Sequence, residues 1–356
     1  MAAVVAALAV VLVSASPARA DTIRDREWWL GALNVAQAQR ITKGTGVTVA
    51  VVDSGVNAGH PDLKGAVLAG RDTVDGKDGR SDTDGHGTAM AGIIAARGRG
   101  GSGILGIAPE AKILPVRPSN DTTFAAEGIR WAAAHGAKVI NMSFAIGDSD
   151  NLHAAIREAA AADVVLVGAA GNSGDKGNDA EYPVSYPEVL GVGAVDRKGK
   201  VLPFSQHGPQ VDIVAPGVDM PTAGLGDNYR TGWGTSNAAA VVSGAAALVR
   251  ARHPDLTAAQ VVELLTATAT DKGDKGRDDY YGSGELNLVA ALTAPPPQPS
   301  AAAPRVTDAQ AAGPGSASGG DSGGGIPPLA IVAAGFVLLA GAILVVIVAV
   351  RRSGAG

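Results

Sequence analysis

Apolar and polar positions along the chain fall into short blocks of two kinds. Residues 47–52 form an apolar run flanked by glycines and an aspartate, as expected for a strand buried on both faces. Similar short runs, rich in Val, Ile and Ala, occupy residues 112–116, 139–142, 164–167, 189–195 and 211–214. Between them lie longer stretches of helical period at 86–96, 125–135 (closed by Gly136), 152–162, 238–252 and 258–268. Strand–helix alternation of this kind predicts an α/β fold, a three-layer sandwich with a mostly parallel sheet flanked by helices. Sites in such sheets lie beyond the carboxyl ends of the strands. Asp53, Ser143 and the Gly171–Asn172 pair all follow predicted strands.

The two ends follow a different pattern. An apolar stretch at 4–13 leads to Ala18-Arg19-Ala20, which predicts a signal peptide over 1–20, although a positively charged start is missing. Residues 329–350 carry no charged side chain, and a helix over them would rise about 33 Å, enough to span a bilayer core. Arg351 and Arg352 follow at once, which predicts a single-pass protein of the cell membrane with a short cytoplasmic tail at 351–356 and its body outside. Residues 294–328 are dominated by Pro, Ala, Gly and Ser and read as a tether. Residues 21–45 form an N-terminal extension whose Trp28 and Trp29 are expected to pack onto the body, leaving 46–293 as the globular domain.

Composition narrows the class. The chain has no cysteine, so an exported body relies on core size or bound ions rather than disulfides. A net charge of −5 without a basic cluster argues against nucleic acid as a partner.

Candidate chemistry sits at the edges of the buried blocks. Ser236, in Gly234-Thr235-Ser236-Asn237, opens a long apolar helix. A serine hydroxyl is a weak nucleophile until a base takes its proton, and His86 at the start of another apolar helix is such a base at neutral pH. Asp53, closing the 47–52 strand, would hold the imidazole tautomer and stabilise the imidazolium. The side-chain amide of Asn172 follows a small-residue strand end and suits an oxyanion donor, as do the free N–H groups at the start of the Ser236 helix.

The order Asp53-Ser54-Gly55, Gly85-His86-Gly87-Thr88 and Gly234-Thr235-Ser236 resembles the subtilisin-like serine proteases. His60-Pro61-Asp62-Leu63, Gly106-Ile107-Ala108-Pro109, Asn141-Met142-Ser143, Ala215-Pro216-Gly217 and Tyr281-Gly282-Ser283-Gly284 support the resemblance, which covers residues 47–291. It implies an endopeptidase acting on protein or peptide substrates through the Asp53, His86 and Ser236 triad. Substrate would lie as an extended strand near 141–144. Ser143, Phe144 and Ala145 would form one wall of the pocket for the residue before the cut, and Gly168, Ala169, Ala170 and Gly171 the other. The export signal, short extension, tether and membrane helix further resemble the mycosins, membrane-anchored subtilases of actinobacterial type VII secretion systems. That likeness implies exported substrates and contact with secretion-machine components. Asn237 and Ala240 depart from the family pattern, which places a bulky residue and a proline there.

Two other readings of the whole chain compete. The anchor, the Trp-rich extension and the altered residues after Ser236 also fit a protein that mainly braces a secretion complex. An esterase fits poorly, because Gly234-x-Ser236 lacks the second glycine of a nucleophile elbow and the order of the trio is wrong for one. Asp72, Asp75, Asp78, Asp82 and Asp84 supply enough carboxylates for a structural calcium ion, but a solvated loop is the preferred reading and no cofactor is required. His60 and Asp62 are expected to order a turn, His135 to close a helix, and His153, His207 and His253 to lie on the surface. The glycines from 98 to 106 are expected to form a loop near the cleft.

Overall fold

The computed structural model describes residues 22–119 and 121–298. The expected signal peptide and membrane helix, and all but the first residues of the tether, lie outside that range. Among the described residues no helix is long and apolar enough to cross a membrane.

In chain order the elements are α1 (Trp28–Ala32), α2 (Val35–Ile41), β1 (Thr48–Val52), β2 (Arg71–Asp72), α3 (His86–Ala95), β3 (Lys112–Arg117), α4 (Thr122–Ala134), β4 (Val139–Met142), α5 (Asp150–Ala161), β5 (Val165–Ala169), β6 (Leu190–Val195), β7 (Ile213–Pro216), β8 (Met220–Ala223), β9 (Tyr229–Gly232), α6 (Thr235–Arg252), α7 (Ala258–Ala267) and α8 (Leu288–Thr293). The main sheet runs β2-β3-β1-β4-β5-β6-β7 with every pair parallel. β8 and β9 form a separate antiparallel hairpin.

Alternation along β1 shows why its residues are apolar without a break. Val49 and Val51 enter the core shared with α3, α6, α7 and α8, while Ala50 and Val52 enter the one beneath α4 and α5. α6 lies at the centre of the larger core, buried from Thr235 to Arg250. Its Ala, Val, Ser and Gly side chains are small on every face, which lets the sheet and the other helices approach it from all sides.

Caps move several boundaries away from the apolar pattern. α4 begins at Thr122 rather than 125 because the Asp121 carboxylate accepts from the Thr123 N–H at 2.7 Å. α5 begins at Asp150 because Ser149 Oγ accepts from the Leu152 N–H. α6 starts at Thr235, so Ser236 sits inside its first turn.

The N-terminal extension is built in. Trp29 is fully buried and Trp28 Nε1 donates to the Val218 carbonyl at 3.0 Å. Arg24 donates through Nε and Nη2 to the Gly103 carbonyl at 2.9 and 2.7 Å, and Nε also reaches Glu27 at 3.0 Å. Both oxygens of Glu27 accept from the Leu105 N–H, at 3.1 and 3.0 Å. Glu27 is 3% exposed, and burial pushes its carboxyl up to about 8 against the opposing pull of Leu105 N–H and Arg24. The glycine-rich loop is therefore not at the cleft. It follows the far end of α3, about 15 Å along the helix from His86, where Asp62 also holds it through Arg99 N–H and Ile104 N–H. His60 and Asp62 do more than order a turn, since both are fully buried and Asp62 also accepts from the Tyr229 hydroxyl at 2.8 Å. His153 and His207 are half-buried rather than on the surface, stacked on Tyr186 and Tyr280.

Candidate active site

β1 ends at Val52 and delivers Asp53 past the carboxyl edge of the sheet, where its N–H is held by the Val116 carbonyl at 2.9 Å. Both Asp53 oxygens lie 2.9 Å from His86 Nδ1, and Oδ1 also accepts from the Ser54 N–H at 2.7 Å. A carboxylate in that position fixes the proton on Nδ1 and leaves the Nε2 lone pair free to accept.

His86 is held by the way α3 starts. Asp82 accepts from the N–H groups of Asp84, Gly85 and Thr88 and from the Thr88 hydroxyl; Asp84 accepts from the His86 N–H; Ser54 Oγ accepts from the Gly87 N–H at 2.9 Å. The donors of the first turn are thus met by side chains on the approach to the helix and beside Asp53. Position 87 has to be glycine, since a Cβ there would lie 2.1 Å from the Gly55 carbonyl oxygen. Burial alone would lower the His86 pKa, but the charge and hydrogen bond of Asp53, with help from Asp84, outweigh it against Arg230 and raise it above the ordinary value.

The turn into α6 positions two further groups. Gly234 takes φ +129°, a conformation side chains rarely adopt, and its N–H donates to the Gly217 carbonyl at 2.8 Å. Thr235 is fully buried. Its N–H and hydroxyl both donate to Asn172 Oδ1, at 2.9 and 3.1 Å, while its hydroxyl accepts from the Gly171 N–H at 3.1 Å. With its oxygen held this way, Asn172 presents an amide nitrogen that no described residue engages. The amide orientation follows from those Thr235 donors.

Ser236 is 8% exposed. Its hydroxyl donates to the Ser143 carbonyl at 3.4 Å, and Ser143 Oγ donates to the Ser236 carbonyl at 3.2 Å. Asn141 Nδ2 donates to Ser143 Oγ, and Ser243 Oγ donates to Asn141 Oδ1, which ties the end of β4 to α6. No hydrogen bond joins His86 to Ser236 in this conformation.

A cleft of about 520 Å³ opens here, lined by Asp53, Asp84, His86, Arg117, Pro118, Ser119, Ser143, Phe144 and Ile146 among others. Of the expected wall residues, Ser143 and Phe144 line it. Ala145 is exposed. Gly168, Ala169, Ala170 and Gly171 are buried, with Ala170 packed against Val195, Val211 and Val214. Reasoning from sequence missed the positioning residues Ser54, Asp82, Asn141, Thr235 and Ser243. Only Asp82 left a readable trace, an acidic residue shortly before a helix start.

The Subtilase family model, Peptidase S8, matches residues 44–284. The chain belongs to the subtilase family. This subtilase is a serine protease, a hydrolase of peptide bonds. It is 40% identical over 257 residues to subtilisin DY of Bacillus licheniformis, covering 70% of this chain and 92% of that one. It is 39% identical over 254 residues to subtilisin Savinase of Lederbergia lenta, covering 70% and 91%. Among solved structures it resembles MycP1 with the N-terminal propeptide removed (36% identity, 76% of this chain and 98% of that one, TM-score 0.70). It also resembles MycP3 protease from the type VII (ESX-3) secretion system (36%, 75% and 88%, TM-score 0.65).

Among the described residues of the subtilase no group of 3 or more metal-ligating side chains converges. In the acidic loop Asp72, Asp75 and Asp78 pair with cations, while Asp82 and Asp84 accept from the N–H groups at the start of α3. Arg117 Nη1 lies 2.7 Å from Asp72 and 3.3 Å from Asp75, and Arg80 Nη2 lies 2.6 Å from Asp78. These pairs line a second, larger cavity of about 950 Å³ that shares Thr83 and Arg117 with the cleft.

Proposed function

We propose that this subtilase is a membrane-anchored, extracytoplasmic endopeptidase that cuts exported proteins through Ser236, His86 and Asp53. The observation that carries the reading is the Asp53–His86 pairing, which leaves Nε2 of the imidazole free to accept at a cleft that Asp53, His86 and Ser143 line, with the Ser236 hydroxyl held on the Ser143 carbonyl. In the reaction, Ser236 Oγ rotates from the Ser143 carbonyl to His86, gives its proton to Nε2 and attacks the scissile carbonyl. The oxyanion is met by Asn172 Nδ2 and by the Ser236 N–H, which has no acceptor inside the helix because it lies in the first turn. His86 then returns the proton to the leaving amine, and water repeats the sequence on the acyl-enzyme. Ser143 and Phe144, which line the cleft, serve the residue before the cut.

Anchoring is supported by the uncharged stretch 329–350 with Arg351 and Arg352 after it, and export by the apolar start and Ala18-Arg19-Ala20. The secretion context is supported by the structural likeness to MycP1, described as an essential component of the type VII (ESX-1) secretion system. A fluorophosphonate probe should label the wild-type protein and fail to label Ser236→Ala; labelling that persists in the variant refutes the assignment. Asn237, whose buried amide nitrogen has no partner, favours a second reading in which bracing a secretion complex matters more than turnover. Secretion that survives Ser236→Ala but not deletion of the chain would select that reading.

A further inference from the structure

Ser143, Phe144 and Ile146 line the cleft, and all three belong to the segment that joins β4 to α5. Its near end is fixed by Ser143, bonded to Ser236, and its far end by Ser149, which caps α5. The stretch between those ends has little core of its own. Phe144 and Ile146 are only half-buried, and Ala145, Gly147 and Asp148 are exposed. The segment between β5 and β6 grips it from the side. The Tyr182 carbonyl accepts from the Ile146 N–H at 2.9 Å. The Tyr186 hydroxyl donates to Asp148 Oδ1 at 2.6 Å and accepts from the Ser149 N–H at 3.2 Å. Glu188 Oε2 lies 3.1 Å from Nε2 of His153, whose ring stacks on Tyr186 with centroids 4.2 Å apart.

Tyr186 is the middle of this clasp. Its ring is buried in the core beneath α4 and α5, a place that phenylalanine would fill as well. Its hydroxyl is a different matter. Taking a hydroxyl out of water is costly unless a partner meets it, and both partners here lie on the segment behind the cleft wall. Burial and the Asp148 hydrogen bond push the phenol up to about 12, so it stays a donor at any pH where a histidine base works.

We infer that Tyr186, acting through Asp148 and Ser149, is a positioning residue that sets the cleft wall at Phe144 and Ile146 against an extended substrate. This rests on the protease reading above. A substrate strand pairs with such a wall through backbone hydrogen bonds. A bond of about 2.9 Å is lost when one partner moves by roughly 1 Å. Without the hydroxyl the wall slips from register with a long substrate, whereas Ser236, His86 and Asp53 keep their own contacts. The loss therefore falls on substrates long enough to lie along the wall.

The experiment compares two substrates. One is a peptide anilide with several residues before the cut. The other is para-nitrophenyl acetate, which transfers its acetyl group to Ser236, releases nitrophenolate and is then hydrolysed by water, with no residue along the wall. Tyr186→Phe keeps the ring and should raise KM for the peptide by about 10-fold at unchanged kcat, the size of one hydrogen bond to a charged group. It should leave acetate turnover as in the wild type. Asp148→Ala should do the same, and Asp148→Asn, which keeps an acceptor oxygen, should recover most of the affinity. Tyr186→Phe combined with Asp148→Ala should be no worse than either alone. Asp148 is exposed, so its variants report on the clasp whether or not Tyr186→Phe folds well. An unchanged peptide KM in the Asp148→Ala protein, effects of the two substitutions that add, or a loss shared equally by peptide and acetate overturns this inference alone. A wild type that fails to cleave the peptide overturns the protease reading and this inference with it.

Discussion

Replacing Glu27 by Gln tests how the N-terminal extension is secured. The amide keeps an oxygen for the Leu105 N–H and removes the titration. In the native state the Glu27 carboxyl titrates at about 8, against 4.5 for the ordinary group. Between those values the folded protein holds a proton that the unfolded chain has released, so stability must fall as pH rises. The contribution is complete below 4.5, drains away through the interval and is gone above about 8. At 1.36 kcal/mol per pH unit, a span of about 3.5 units corresponds to about 4–5 kcal/mol. For a domain of this size that is roughly 10 °C of melting temperature. Calorimetry at pH 5, 7 and 9, in a Ser236→Ala background to suppress self-digestion, should show wild type and Glu27→Gln melting together at pH 5. The variant should then gain steadily toward pH 9. Taking the difference between the two proteins cancels the other titrating groups. Melting curves that stay parallel from pH 5 to pH 9 would show that Glu27 is ionised in the fold throughout, held by Arg24 and Leu105, and the reasoning would fail.

Three further outcomes are expected. Asn172→Ala should lower kcat by about 10²–10³ with little change in KM, a size carried over from a subtilisin, where losing one such donor has that cost; an equal loss in KM would point to substrate binding instead. The acid limb of the kcat/KM profile reports His86 losing its proton, so Asp84→Asn, which removes a charge that raises the His86 pKa, should move that limb to lower pH, and Arg230→Gln should move it to higher pH. Shifts of the same sign in both variants would dismiss this electrostatic account. Asn237→Leu removes a buried donor without a partner and should stabilise the Ser236→Ala protein by about 1–2 kcal/mol in thermal unfolding; a lower melting temperature would mean the amide is satisfied after all.

The parallel sheet was legible because its strands are buried on both faces. Residues such as Val49 and Ala50 face opposite cores, so the sequence reads as one apolar block, and the strand over Val139–Met142 agrees with its prediction to the residue. The β8–β9 hairpin was not legible. Pro221 interrupts one strand, while Tyr229–Gly232 is polar and partly exposed, and neither has a periodic pattern to detect. β2 is too short to carry any pattern. The prospective nucleophile, base and acid stood out because such residues are unusual next to apolar blocks. The groups that aim them did not, since Thr235, Ser54 and Asn141 act through contacts with Asn172, Gly87 and Ser243, residues distant in sequence that only folding brings together.

The bond between Asn172 and the Thr235 backbone has a mechanical consequence. It ties the proposed cradle for the oxyanion to the turn that carries the proposed nucleophile, although they hang from different elements, β5 and α6. His86 and Asp53 are carried by α3 and β1, and no hydrogen bond links the imidazole to Ser236. Turning the Ser236 hydroxyl toward the Ser143 carbonyl would disconnect the base while leaving the acceptor geometry assembled, so regaining competence requires one side-chain rotation.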